Sequence, residues 1–413
     1  MYIKTTMNNT CKTRRDFLYF ALFIYWATLV VWQNIGEYTT RSFVDTMIKV
    51  CLLLWLVFWY FLTLQNPRIN VYRLQVWSVF VITQIITLLS EREWNLSIVV
   101  AFVFPSLFSF LSYVYGHDYK ITRKHYETFL NSVIVVVVYA ALYAVLFKTD
   151  QFLSAFSISS AYGNELTSFF VSNHEYGMYL LGGIVACIVC LEWNRNAGFF
   201  KKLFYCFCLV LFIPNLVLTF SRTSMLALAI FLIIYMMFRG KSRLKITTFT
   251  VVFIGALLIV VWSDFREFVF KIVLKENNDA GRGDLYALAV EYFKEGTLWQ
   301  RCFGRGIGEA RNYFESELSH GSVHNGYLQV MVYYGIAGLA FMVGFLLCRF
   351  VAAVKLIRRD RFAGVLSLGL VLACASLMFT NTSILFNSPI DSFFLTIFTI
   401  IMPKYFENGL KIE

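Results

Sequence analysis

The feature that most constrains this chain is a recurrence of long, unbroken apolar blocks. Two of them are "FLYFALFIYWATLVVW" (Phe17–Trp32) and "ITTFTVVFIGALLIVVW" (Ile246–Trp262). Crossing about 30 Å of hydrocarbon at 1.5 Å per residue takes roughly 20 residues of α-helix, and both blocks approach that length. The apolar residues come in runs rather than at an amphipathic period. Composition agrees: of 413 residues, 59% are hydrophobic, 18% aromatic and 15% charged, where a soluble domain carries about 25% charged residues. The expectation is an all-α, polytopic integral membrane protein.

Taking the blocks in order gives about twelve spans, near 17–34, 47–64, 74–89, 96–115, 129–147, 176–192, 203–219, 225–238, 246–262, 327–348, 362–380 and 391–402. The first follows a basic N-terminus, as a signal peptide would. It lacks a small-residue cleavage site and more spans follow, so a retained helix is expected. Positive charge then alternates along the chain. Lys4, Lys12, Arg14 and Arg15 precede the first span, and every second loop is basic: Arg68 and Arg73; Lys120, Arg123 and Lys124; Arg195, Lys201 and Lys202; Arg239, Lys241, Arg243 and Lys245; Arg349, Lys355, Arg358, Arg359 and Arg361. The intervening short loops carry acids such as Glu37, Asp45, Glu91 and Glu93. By the positive-inside rule both termini are expected in the cytoplasm, with the chain multi-pass in the cytoplasmic membrane. The net charge of +11 sits in short loops between spans, so topology explains it and nucleic acid is not an expected partner. Most of the nine cysteines lie inside apolar blocks, as small hydrophobes rather than a disulfide framework, with Cys302 in a polar segment.

One loop is long. Residues 263–326, expected outside, hold eight basic and ten acidic residues. A structureless loop of that length is uncommon in a compact protein unless it has a function. Within it, "GRGDLYALAVEYFKEG" places Leu285, Leu288, Ala289 and Tyr292 at helical spacing. Gly283 or Asp284 suits the start, Lys294 the last turn and Gly296 the end. An amphipathic helix is expected there, resting on the outer membrane face or on the spans beneath it. Three regions follow: 1–202, the N-terminal spans; 203–380, containing the long loop; and 381–413, the last span and tail.

The candidate chemistry gathers outside. In "FSRTSMLALAIF", Ser221 or Thr223 can cap a span, leaving Arg222 at the outward N-terminus of that helix. An arginine at the hydrocarbon centre costs at least about 2.5–3.5 kcal/mol, so Arg222 belongs at the interface or in a polar cavity. A guanidinium beside free helix N–H groups is an anion site, although a snorkelling anchor has the same look. Arg282, just before the loop helix, repeats the pattern, and a solvated loop arginine is its plainer reading. His324 and Asn325 stand at the threshold of the tenth span, in "SVHNGYLQV". An ordinary imidazole is largely neutral at pH 7 and can take a proton from a hydroxyl, with Asn325 to orient it or bind sugar; an interfacial polar collar is the alternative. His174 with Glu175 is a further polar pair, without the second histidine of a zinc motif. "GRGIG" (Gly304–Gly308) follows no strand, so a tight turn bringing backbone close to something explains it better than nucleotide binding. No ligand set has metal spacing, and neither a metal nor another cofactor is expected.

The order of these motifs resembles the O-antigen ligase and polymerase family of bacterial membrane glycan enzymes. The likeness runs over roughly 205–350, through "SRTSMLALAIF", "GRGDLYALAVEYF", "FGRGIGEARNYF" and "SVHNGYLQVMVYYGIAGLAFMV", with a fainter match in "SNHEYGMYLL". The resemblance implies transfer of an oligosaccharide from an undecaprenyl-diphosphate carrier at the outer face of the cytoplasmic membrane. It implies diphosphate binding by Arg222 and Arg282, with Arg305 a lesser candidate, and His324 as base for the acceptor hydroxyl. The family's usual proline ahead of the "GRGIG" glycines is absent, with Arg301, Cys302 and Phe303 there instead.

A polymerase extends another lipid-linked repeat unit and a ligase delivers the glycan to lipid A–core. The resemblance leans to a polymerase of O-antigen, capsule or exopolysaccharide. Expected partners are the lipid-linked oligosaccharide, membrane lipids, and a chain-length regulator and flippase of the same pathway. A transporter remains a different-class alternative. It predicts charged or broken helices near the midplane in two related halves, and no half-to-half similarity is visible.

Overall fold

The computed structural model describes residues 38–63, 71–91, 96–117, 123–155, 165–170, 172–194, 198–239, 282–318, 322–382 and 384–386. The expected spans at 17–34, 246–262 and 391–402 lie outside them, as does the first part of the long loop. Every described element is a helix, and no strand occurs among the described residues.

The helices are α1 (Tyr38–Thr63), α2 (Val71–Leu89), α3 (Leu96–His117), α4 (Arg123–Phe147), α5 (Thr149–Ala155), α6 (Asn173–Trp193), α7 (Phe199–Leu218), α8 (Arg222–Arg239), α9 (Arg282–Glu295), α10 (Leu298–Phe303), α11 (Ile307–Leu318), α12 (Gly326–Ile357) and α13 (Arg361–Thr380). Five segments are long and apolar enough to cross a membrane: those in α4, α6, α7, α12 and α13. Shorter apolar helical stretches lie in α2, α3 and α8. The chain is a multi-pass membrane protein. Wherever an expected span falls on described residues, one of these helices occupies it.

Packing follows from which helices are apolar all round. In α6, residues 176–187 are buried without a break, and it packs against α4, α7 and α8. In α13, residues 363–371 are likewise buried without a break, and it packs against α8 and α12. A helix with no polar face belongs in the middle of a bundle. By contrast α2, α7 and α12 leave Ile82, Leu89, Val210, Phe207, Ile336 and Leu347 exposed, as lipid-facing helices do. Two buried hydroxyls are paired across helices: the Tyr176 hydroxyl donates to Asn215 Oδ1 at 2.8 Å and the Tyr205 hydroxyl to Asn131 Oδ1 at 2.8 Å. Lys49 and Asp45 form a buried ion pair one turn apart on α1.

Helix α12 runs for 32 residues and is broken once, at Gly335, with φ 67° and ψ −167°. The cause lies in the loop above it. A Cβ on Gly335 would meet the backbone of Cys302 and Phe303, and a Cβ on Gly304 (φ 85°) would meet the Tyr333 carbonyl. Two backbones pass where only glycine on both sides leaves room, and both glycines adopt the left-handed region that costs other residues strain.

Candidate functional site

The turn between α7 and α8 is three residues long. Phe220 takes φ 51°, a left-handed value rare for a bulky residue, and the turn is held from inside and outside. From inside, Thr219 Oγ1 accepts from the Ser221 N–H at 3.1 Å. From outside, the first turn of α6 reaches across: Asn173 Nδ2 donates to the Thr219 carbonyl at 2.9 Å, and His174 Nδ1 lies 3.1 Å from Ser221 Oγ. Ser221 Oγ also donates to Ser224 Oγ at 3.1 Å and lies 3.3 Å from Thr223 Oγ1. Gly177 makes this approach possible, because a Cβ there would sit 2.9 Å from Ser221 Cβ and from Ser224 Oγ. The structure therefore joins "SNHEYG" to "SRTS". His174 is hydrogen-bonded to the residue before Arg222, and Arg222, half-buried, is the first residue of α8. Ser221 precedes the helix, as a capping residue would, with its hydroxyl turned to His174, Thr223 and Ser224.

The loop helices form a second cluster. Helix α9 begins at Arg282 itself rather than at Gly283 or Asp284, which puts this arginine in the first turn; helix starts read from sequence carry that one- or two-residue latitude. The expected amphipathic face is present: Leu285, Ala289 and Tyr292 are buried and the helix packs on α12, so its apolar side faces the spans. Tyr286, one turn after Arg282, donates its hydroxyl to the His324 carbonyl at 3.5 Å. His324 is half-buried with φ 53°, a conformation in which histidine is enriched among non-glycine residues. Asn325 caps α12: its Oδ1 accepts from the Tyr327 N–H at 3.0 Å and the Leu328 N–H at 3.1 Å. Capping engages its oxygen and fixes the helix start beside His324; an Asn directly before an apolar run is the sequence signal for that task.

Arg305 follows α10. Its guanidinium carbon lies 4.1 Å from the centre of the Tyr292 ring, a cation–π contact. Tyr292 is itself packed against Tyr313 and Phe314 at centroid distances of 4.5 and 5.7 Å. Burial raises the Tyr292 hydroxyl well above its ordinary pKa, so it remains protonated.

The residue that sequence reasoning missed is Glu91, just beyond the end of α2. Its carboxylate Oε1 accepts from the backbone N–H of Ile307 and, at 3.0 Å, of Gly308. A Cβ on Gly306 (φ 99°) would collide with the same carboxyl group. The glycine-rich turn is thus a cradle of backbone N–H groups at the N-terminus of α11, and the acid that fills it is a side chain of this protein. Thr87 Oγ1 donates to the Phe303 carbonyl at 2.7 Å, so α2 holds the loop at two points. Burial raises the Glu91 pKa, and the nearby Glu309 charge adds to that; the amides of Gly308, Ile307 and Glu309 pull it partly back. The only sequence trace of this contact is an acid in a short loop expected on the same side as "GRGIG".

Residues 207–343, from α7 through the loop helices into α12, match the family described as O-Antigen ligase. The chain carries an O-antigen ligase-like domain over that segment, the family its motifs resemble. No curated protein matches the chain.

Proposed function

We propose that this O-antigen ligase-like membrane enzyme joins undecaprenyl-diphosphate-linked oligosaccharide repeat units into a surface polysaccharide, at the outer face of the cytoplasmic membrane. The observation that carries the reading is the link between α9 and His324. The helix that opens with Arg282 donates, one turn later, to the carbonyl of a histidine held in a left-handed conformation. Strained backbone at a polar position is worth reading as function when the surroundings over-determine it, and here Tyr286 and the Asn325 cap do so.

The chemistry is a displacement at the anomeric carbon. The acceptor hydroxyl oxygen forms a bond to that carbon while the bond from it to the diphosphate oxygen breaks, releasing the polyprenyl diphosphate. His324 takes the hydroxyl proton. Arg222 and Arg282 neutralise the charge that grows on the leaving diphosphate, which preorganised cations do without rearranging, and Arg305 is the lesser third. His174 orients the turn that presents Arg222. Asn325 positions His324 through the helix cap, with its amide nitrogen facing substrate as its lesser role.

Reconstitution of the purified chain with an undecaprenyl-diphosphate oligosaccharide tests this. A ladder of lengthening products is the expected result. Transfer only when lipid A–core is present makes the enzyme a ligase, and movement of carrier lipid across the bilayer with no new glycosidic bond replaces the reading by a flippase.

A further inference from the structure

Helix α2 supplies a ruler for depth. Its 19 residues Val71–Leu89 rise about 28 Å at 1.5 Å per residue, close to the hydrocarbon thickness. Arg73 stands in its first turn, as headgroup-level cations do, so its last turn marks the opposite interface. Helix α10 lies at that level: its Cys302 and Phe303 backbone is what the Gly335 break accommodates, and Thr87, in the last turn of α2, bonds to Phe303.

Two large apolar side chains on this short helix point away from the protein. Leu298 is 79% exposed and Trp299 56%. Leu89, at the end of α2, and Ile336, next to the Gly335 break, are exposed apolar side chains on two helices that α10 packs against. Exposed apolar side chains thus occur on α10 and on both of those helices, with Arg301 the exposed charge on α10. Trp299 is braced by the Phe303 ring, with centroids 4.5 Å apart, so its exposed face is held.

We propose that α10 is an interfacial anchor: Leu298 and Trp299 insert into the lipid leaflet at the loop end of the bundle, at the boundary between headgroups and acyl chains. Tryptophan favours that depth because its ring is apolar and its N–H can remain hydrated. Leucine has no such compensation in water, and its exposure favours lipid over a glycan as the occupant. The consequence for the loop is a fixed height. Arg301 on α10 donates through Nε to the Gly296 carbonyl at 2.8 Å, tying α10 to the end of α9. Arg305, two residues beyond α10, is braced on Tyr292. Anchoring α10 therefore holds Arg305 at headgroup depth, where a lipid-borne diphosphate lies. That last step rests on the proposed role of Arg305, whereas the insertion does not.

The test uses the full chain in vesicles of phosphatidylethanolamine and phosphatidylglycerol, with no glycan substrate. Benzoylphenylalanine replaces Leu298, Trp299 or, as a reference, Ser316, which is exposed on α11. After irradiation, mass spectrometry should find phospholipid adducts at positions 298 and 299 at least tenfold above position 316. Adducts no more frequent than at 316, or confined to other protein segments, overturn the proposal. A second set of vesicles with added lipid-linked oligosaccharide separates the alternatives, since a carbohydrate adduct replacing the lipid adduct at 299 also overturns it. The probe at position 298 stands in should the 299 variant fail to fold. Neither readout depends on catalysis, so failure of the anchor leaves the proposed reaction standing, and the reverse holds.

Discussion

Removal of the Glu91 carboxylate should release the glycine-rich turn that carries Arg305. Glu91 is 6% exposed and its Oε1 accepts two backbone N–H groups at the start of α11, from Ile307 and Gly308. Orphaning a buried donor costs about 1–3 kcal/mol. Two give about 2–6 kcal/mol, and because Gly308 is only partly buried, water recovers some of the loss, leaving about 2–4 kcal/mol for Glu91→Ala. At 1.4 kcal/mol per factor of ten, the amides of 304–310 should exchange about 30- to 700-fold faster with deuterated solvent. Glu91→Gln keeps an acceptor of the same shape and should stay within about tenfold of the parent. The assay is hydrogen–deuterium exchange on the chain in lipid nanodiscs. Exchange in Glu91→Ala equal to the parent would refute the reasoning, because the turn would then be held without the carboxylate. The pH dependence has a definite sign. The Glu91 pKa is raised by burial, so its contribution is fully present at acid pH, where the carboxyl is protonated, and declines as pH rises through the raised value. Exchange measured relative to Glu91→Gln at each pH should therefore increase with pH, and a flat ratio would contradict it.

Other outcomes follow from the same contacts. His174→Ala should raise the KM for the lipid-linked donor through Arg222 while costing only about 1 kcal/mol of stability; His174→Asn, which can still bond to Ser221, should recover most of that KM, and identical behaviour of the two would make the histidine a packing residue. His324→Ala should lower the rate of glycan transfer by about 10²- to 10⁴-fold, the usual worth of a proton-transfer group, and a full-rate variant would dismiss it as the base. Arg282→Lys should be poorly tolerated in the same assay, because a point charge does not replace a bidentate fork. Gly335→Ala places a Cβ against the Cys302 backbone at a left-handed φ; the strain alone costs about 1–3 kcal/mol, so a clear drop in the detergent-micelle melting temperature is expected, and an unchanged one would mean the loop and α12 do not touch there.

Much of this protein was legible from residue order. The apolar runs, the helix in 282–295 with its buried Leu285, Ala289 and Tyr292, and the motifs of the matched segment all depend on local periodicity and composition, which a helix in lipid expresses directly because it satisfies its own backbone. Its exact start was off by one or two residues, since helix ends have several nearly equivalent caps. Less legible were the uses of side chains at helix ends. From sequence Asn325 reads as a partner of His324, a sugar ligand or part of a polar collar, and only the distances to the Tyr327 and Leu328 amides show its oxygen capping α12.

What the sequence alone determined, then, is what each segment is: a span, a loop helix, a polar threshold. Tertiary structure decided what each segment meets. It set His174 against Ser221, 47 positions away, and Glu91 under Ile307, 216 positions away. Residues so far apart share no periodicity, so no pattern along the chain encodes their meeting. The glycines at 304, 306 and 335 announced only that something passes close, because the lack of a Cβ permits an approach without naming the neighbour. Packing supplied the neighbours: a carboxylate for one turn, and the backbone of α12 for the other.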